Sequence, residues 1–343
     1  MPPDDPLAAY RSALMREARR YAMPATVDAP TWQRWRRRLR ARLRQHLALP
    51  AQRRAPRWSI AATTLHDGYR RSLISFAGAS DEDIPAWLLT PAVHDAPRPA
   101  VIAVPGHGYG MNELVGLTAE GAPRATPQGY HQDFALDLAR HGMVVLVPEL
   151  RGFGRRRLAA DRDGASTRSS CEALARWSLL LGRPLLGDRV ADVLGAFELL
   201  RGIPQVDARR IAIMGGSGGG AVALLAAALE PRLRAAVIGT YFCTFRDSLL
   251  DQRHCLCNYV PGLLRDAEMC DIAALIAPRP LLLIAGTDDP LFPAAGTRAA
   301  YAELQHAYRI AQAGERLALD LFAGGHQLRV TPALPFLARW LEV

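Results

Sequence analysis

A serine, an acid and a histidine, in that chain order, each sit beside glycines in this sequence. Ser217 lies in "GGSGGG" (215–220), Asp288 and Asp289 in "GTDDPLFP" (286–293), and His326 in "GGH" (324–326). Ser217 at the centre of Gly215-x-Ser217-x-Gly219 fits a nucleophile on a strained strand-to-helix turn, where flanking glycines remove Cβ clashes. A serine hydroxyl attacks poorly until a base takes its proton and an acid holds that base in one tautomer. His326 is the candidate base. Asp289 is the candidate acid, three residues past Gly286 and locked by Pro290, which leaves Asp288 as a turn or solvent-facing residue. Asp247, in "CTFRDSLL", is a remoter alternative that also reads as the first acid of a helix. The chemistry of such a set is acyl transfer through an acyl-serine, with the N–H of Gly218 at a helix start facing the developing oxyanion.

The same glycines also fit Gly216-x-Gly218-x-x-Ala221, a dinucleotide-binding pattern. That fold places its motif in the first βαβ unit and an acid about twenty residues later, at the end of the next strand. Here several strands come first, the next strand ends in "IGTYF" (238–242) without an acid, and no Gly-Lys-Ser/Thr follows. No nucleotide cofactor is expected.

The elements that must position these residues alternate. Apolar runs suited to strands are "RRSLISFAG" (70–78), "IPAWLLTP" (84–91), "RPAVIAVPG" (98–106), "MVVLVPEL" (143–150), "RIAIM" (210–214), "LRAAVIGTYF" (233–242), "PRPLLLIAG" (278–286) and "RLALDLFAGG" (316–325). Helical stretches separate the later ones: "YHQDFALDLARHG" (130–142), "DRVADVLGAFELLRG" (188–202), "GAVALLAAALE" (220–230) and "GTRAAYAELQHAYRIA" (296–311), with another closing the chain. This alternation predicts an α/β protein with a parallel sheet and helices on both faces. Chemistry in such sheets sits at the carboxyl ends of the strands, which is where Ser217, Asp289 and His326 all fall. The segment Arg155 to Gly187 is polar, then helical, and reads as a cap insertion over a pocket.

The 343 residues fit one α/β domain (57–343) behind an arginine-rich helical extension (1–56) that ends in the proline-marked linker "LPAQRRAPRW" (49–58). The formal charge is +9, with no lysine at all. The charge concentrates between Trp32 and Arg54, a run without acids that could grip phosphates. Trp32, Trp35, Leu39, Leu43 and Leu47 recur at helical spacing, so the simpler expectation is a helix laid on the protein with its arginines outward. No nucleic-acid or membrane partner is expected, and a homo-oligomer is left open. The start lacks the apolar segment of a signal peptide, and no run approaches the ~20 apolar residues of a membrane span, so a cytoplasmic chain is expected. Five cysteines give no disulfide framework. "HCLCNY" (254–259) offers His254, Cys255 and Cys257, but neighbours that close point apart and no second pair completes a site, so no metal is expected.

Over a long ordered series of motifs the sequence resembles the α/β-hydrolases of the dienelactone-hydrolase and acetyl-xylan-esterase-like group. The series runs from about Ile84 to the C-terminus: "VPGHGYG", "GMVVLVPELRGFG", "LLGDRVADVLGAFELL", "GGSGGG", "YFCTFRDSLL", "CNYVPGLL", "DIAALIAPRPLLLIAGTDDPLFP" and "GGH". The resemblance implies an α/β-hydrolase fold with a mostly parallel central sheet, a Ser217–His326–Asp289 triad, and hydrolysis of carboxylic esters without metal or cofactor. It also implies a second oxyanion donor in the loop after "AVIAV": the amide of His107, or that of Tyr109 if His107-Gly108 is the aligned pair, with His107 preferred. Tyr109, Tyr241, Phe242 and Tyr259 are candidate pocket residues, although core aromatics would read the same. Glu149 stands where relatives often carry Asp. Ser217 replaces the elbow cysteine of dienelactone hydrolases proper, which favours a short-chain acyl or acetylated-sugar ester as substrate. A lactonase or peptidase on the same triad, or a binding protein that keeps the fold without turnover, are the alternatives.

Overall fold

The computed structural model describes residues 7–17, 19–25, 28–50, 55–79, 82–92 and 96–343. Part of the linker, residues 51–54, and the first six residues lie outside them. Nine strands form one sheet: β1 (Trp58–His66), β2 (Tyr69–Ala77), β3 (Asp83–Pro91), β4 (Arg98–Val104), β5 (Val144–Pro148), β6 (Val206–Gly216), β7 (Ala235–Gly239), β8 (Leu281–Gly286) and β9 (Leu317–Phe322). Their spatial order is β1-β2-β3-β5-β4-β6-β7-β8-β9. The first three strands and the β3–β5 pairing are antiparallel, and every pairing from β5 to β9 is parallel. β4 through β8 are buried almost throughout, as strands covered on both faces must be. β1 is almost wholly exposed, so it carries no apolar alternation, and no sequence pattern marks it.

The helices are α1 (Ala8–Met15), α2 (Ala29–His46), α3 (Phe134–Arg140), α4 (Ala159–Arg162), α5 (Cys171–Leu180), α6 (Leu185–Arg201), α7 (Gly218–Leu229), α8 (Leu263–Asp266), α9 (Met269–Ala274), α10 (Ala294–Ile310) and α11 (Ala333–Leu341). One face of the sheet packs against α2, α6, α7, α9 and α10, the other against α3, α11 and the short turn at Met111–Val115. The strand order places the site. β4 has β5 on one side and β6 on the other, so the loops leaving β4 and β6 diverge and open a crevice between them, where ligands of such sheets bind.

The N-terminal helix belongs to the same core. Asp28 caps α2 by accepting the Thr31 N–H at 2.8 Å, and Trp32, Trp35, Leu39, Leu43 and Leu47 are all buried, as their spacing predicts. The expectation that its arginines point outward holds for Arg34, Arg37 and Arg38 but fails for two others. Arg36 donates to Leu275 O at 2.9 Å, and Arg40 donates to Ala228 O and Leu275 O at 2.9 and 2.8 Å. These carbonyls lie at the C-terminal ends of α7 and α9, where orphan acceptors and the helix dipole favour a cation. Among the described residues no helix is long and apolar enough to cross a membrane.

Candidate active site

β6 ends at Gly216 and α7 starts at Gly218, so Ser217 alone makes the turn, at φ 54° and ψ −124°. A side chain rarely adopts this backbone, and such strain persists only where the surroundings fix it. Here the Ser217 N–H donates to Gly239 O at 2.9 Å and to Thr240 Oγ1 at 3.2 Å. Close packing demands the flanking glycines. A Cβ on Gly215 would overlap the Gly219 backbone, and one on Gly219 would overlap the carbonyls of Val104 and Pro105.

Asp289 and His326 meet. His326 Nδ1 lies 2.8 Å from Asp289 Oδ2, while Asp289 Oδ1 accepts the N–H groups of Leu291 and Phe292 at 2.9 and 3.2 Å. Asp289 is buried, whereas its neighbour Asp288 is exposed, and the Asp288 side chain accepts a hydrogen bond from the Thr287 hydroxyl. Asp247 is occupied with Thr244. The loops after β8 and β9 are joined through the N–H of Thr287 to Phe322 O and of Asp288 to Gly324 O, each 2.9 Å. The acid and the histidine are therefore fixed relative to each other by backbone.

The loop after β4 is held by residues that sequence reasoning did not select. Gly106 N–H donates to Nε2 of fully buried His131 at 2.9 Å, and His131 Nδ1 faces Glu113 Oε1 at 3.0 Å. The other Glu113 oxygen accepts the Tyr109 N–H at 3.3 Å. Of the two amides weighed as oxyanion donors, that of Tyr109 is thus engaged. Those of His107 and Gly218 have no protein acceptor among the described residues. Tyr130 joins the loop to the histidine: its carbonyl accepts the Leu328 N–H at 2.8 Å and its ring lies 5.4 Å from that of His326. The buried Tyr130 hydroxyl lies near the Ser217 side chain, short of a full hydrogen bond. No spacing rule marks Glu113, Tyr130 or His131, because they come from a long loop whose shape only the fold sets.

The pocket candidates separate. Tyr241 and Phe242 are core residues, 4% and 3% exposed. Tyr241 packs on Phe292 at 5.2 Å, which stacks on His326 at 5.9 Å, so its effect on the site is through packing. Tyr259 donates to Leu249 O at 2.7 Å and borders an apolar cavity with Phe245, Leu249 and Leu263. Tyr109 lines a cavity of about 290 Å³ with Asn112, Arg155, Arg157 and Arg162, the last three from the predicted cap segment. Glu149 ties that segment to the loop after β4, accepting the N–H groups of Met111 at 3.0 Å and Arg155 at 3.2 Å.

The arrangement can activate a serine at a sheet edge beside two amides that have no protein acceptor among the described residues. Comparison with known proteins gives the family of the chain. The family model described as acetyl xylan esterase (AXE1) matches residues 64–251. A protein of Bacillus subtilis (strain 168) assigned as the hydrolase YtaP is 30% identical over 272 residues, covering 76% of this chain and 84% of that one. Among solved structures, a protein of Bacteroides fragilis assigned as an acetyl xylan esterase superposes with TM-score 0.78 at 19% identity, covering 91% of this chain and 82% of its own. The glucuronoyl esterase of Solibacter usitatus superposes with TM-score 0.68 at 15% identity, covering 94% and 96%. These structural likenesses show the shared α/β-hydrolase fold.

Proposed function

The chain belongs to the acetyl xylan esterase (AXE1) family of carboxylic ester hydrolases, and from that premise we propose that it cleaves short-chain acyl esters, acetylated sugars among them, through Ser217, His326 and Asp289. The pairing of His326 with Asp289, at the same sheet edge as the strained Ser217, is the observation that carries this reading.

Asp289 accepts the Nδ1–H of His326, which leaves Nε2 as the basic nitrogen. Nε2 takes the Ser217 proton as Oγ attacks the ester carbonyl. The amides of Gly218 and His107 hold the oxyanion, a contribution of about 3–4 kcal/mol per donor in comparable sites. His326 returns the proton to the leaving alcohol, and water then cleaves the acyl-enzyme by the same route. Five unpaired cysteines support a reducing, cytoplasmic setting.

A second reading rests on Arg155, Arg157 and Arg162 around the cavity beside Tyr109, which favour an ester substrate that also carries a free carboxylate. A fluorophosphonate probe tests the shared core of both readings: intact-mass analysis should find one adduct, on Ser217. Labelling elsewhere, or none on folded protein, would remove the proposed nucleophile. Rates on acetylated neutral sugars against acetylated uronic acids with a free carboxylate then separate the two.

A further inference from the structure

Four soft donors that the ester chemistry leaves unused converge behind the loop after β4. His107 comes from that loop, Cys171 is the first residue of α5, and Cys255 and Cys257 flank Leu256 in the segment between β7 and α8. Their ligating atoms all lie within 4.8 Å of one another, and His107 Nε2 is 3.3 Å from Cys257 Sγ. We propose that His107, Cys171, Cys255 and Cys257 hold a structural zinc ion.

Tetrahedral zinc, with Zn–S about 2.3 Å and Zn–N about 2.0 Å, sets its donors roughly 3.5–3.8 Å apart. The cluster is already at that scale. Three thiolates and one neutral imidazole fill all four positions and leave none for water or substrate, which is the pattern of a structural rather than a catalytic ion. This nitrogen-and-sulfur set suits zinc and not the hard cations magnesium or calcium.

The charge of the surroundings supports the same ion. Arg189 is fully buried, donates to Cys171 Sγ at 2.9 Å and to Arg151 O at 2.7 Å, and its guanidinium sits 4.4 Å from the Phe153 ring centre. Among the described residues no carboxylate pairs with it. A buried cation requires an anion close by. A divalent ion with three thiolates carries one negative charge, which Arg189 neutralises. Binding releases the thiol protons to solvent and changes no oxidation state.

The stretch "HCLCNY" alone predicts no metal, because neighbours that close are expected to point apart and no second pair beside them completes a site. His254 indeed turns away, with Nε2 3.2 Å from Leu291 O. The completing ligands, His107 and Cys171, are supplied by distant segments. The ion would pin the cap helix α5 to the body, and with it His107, whose ring lies against Gly218: a Cβ there would come within 3.0 Å of Nδ1.

The test uses full-length protein purified without chelators from zinc-supplemented cells. Elemental mass spectrometry is expected to find about one zinc per chain. Exchange for cobalt(II) is expected to give sulfur-to-metal charge transfer and the strong visible bands of a tetrahedral site. Cys171→Ser and Cys257→Ser should reduce the metal to background, while Cys243→Ser, outside the cluster, keeps it. Wild-type protein that carries no zinc and gives no such cobalt spectrum would overturn the proposal, as would a disulfide among the three cysteines in the protein as isolated. The cobalt spectrum of unmutated protein decides the matter if the cysteine variants fail to fold. Ser217→Ala should retain its zinc, so loss of the esterase reading would not be mistaken for loss of the metal site.

Discussion

His326 and Asp289 are joined by a 2.8 Å hydrogen bond, and the remaining Asp289 oxygen is saturated by two backbone amides. Such an acid cannot swing away, so it fixes both the tautomer and the direction of the imidazole. Asp289→Asn is therefore expected to cut kcat on p-nitrophenyl acetate by roughly a thousand- to ten-thousand-fold, the scale for a triad acid, with little change in KM. Asp288→Asn, at an exposed position, should stay within about twofold of wild type. Equal losses in the two variants would disprove the assignment of the acid.

Ser217 and His326 act as one unit in the proposed mechanism. Ser217→Ala and His326→Ala should each abolish measurable burst and turnover, and the double variant should be no slower than either alone, because removing one member already disables the other. Circular dichroism should show all three folded. Multiplicative losses in the double variant would mean that the residues contribute independently, which a triad does not allow.

The three residues proposed as the triad stood out in the sequence because each follows an apolar run and sits beside glycines or a proline. Gly215 is forced by contact with Gly219 four residues on, Gly219 by the neighbouring strand β4, and Asp289 and His326 follow the apolar runs of β8 and β9. The supports were not legible. Glu113, Tyr130 and His131 act across a long loop, and the thiols of Cys171 and Cys257 meet only through the fold. Likewise β1 is an exposed edge strand without alternation, and Arg36 and Arg40 look like their outward neighbours until the helix ends they cap are in place.

Tyr130 offers a prediction in stability. Its hydroxyl is buried without a full hydrogen bond, so the folded chain bears a desolvation cost for it. Tyr130→Phe should raise the urea midpoint by an amount equivalent to about 1 kcal/mol and leave kcat/KM within about threefold. Tyr130→Ala removes the ring that packs on His326 and His131, and should destabilise by about 3–5 kcal/mol. A large fall in kcat for Tyr130→Phe would instead give the hydroxyl a direct part in catalysis.

Glu149 sets a dependence of stability on pH. Burial lifts its carboxyl from an ordinary value of 4.5 to about 7, against the pull of the Met111 and Arg155 amides and of Arg156. Between those two values the folded chain holds a proton that the unfolded chain has released, so unfolding loses a proton and stability falls as pH rises. The loss begins near pH 4.5 and is complete once the folded group has ionised above pH 7. A tenfold change in proton affinity is worth about 1.4 kcal/mol, so the full effect is on the order of 3 kcal/mol. Glu149→Gln cannot ionise and gives up one amide acceptor, so it should be less stable than wild type at pH 5 and lose that disadvantage by pH 8. Urea unfolding of both proteins across that range measures the difference. A gap independent of pH would show that Glu149 ionises at an ordinary value, and that its bonds to the two loops hold a carboxylate throughout.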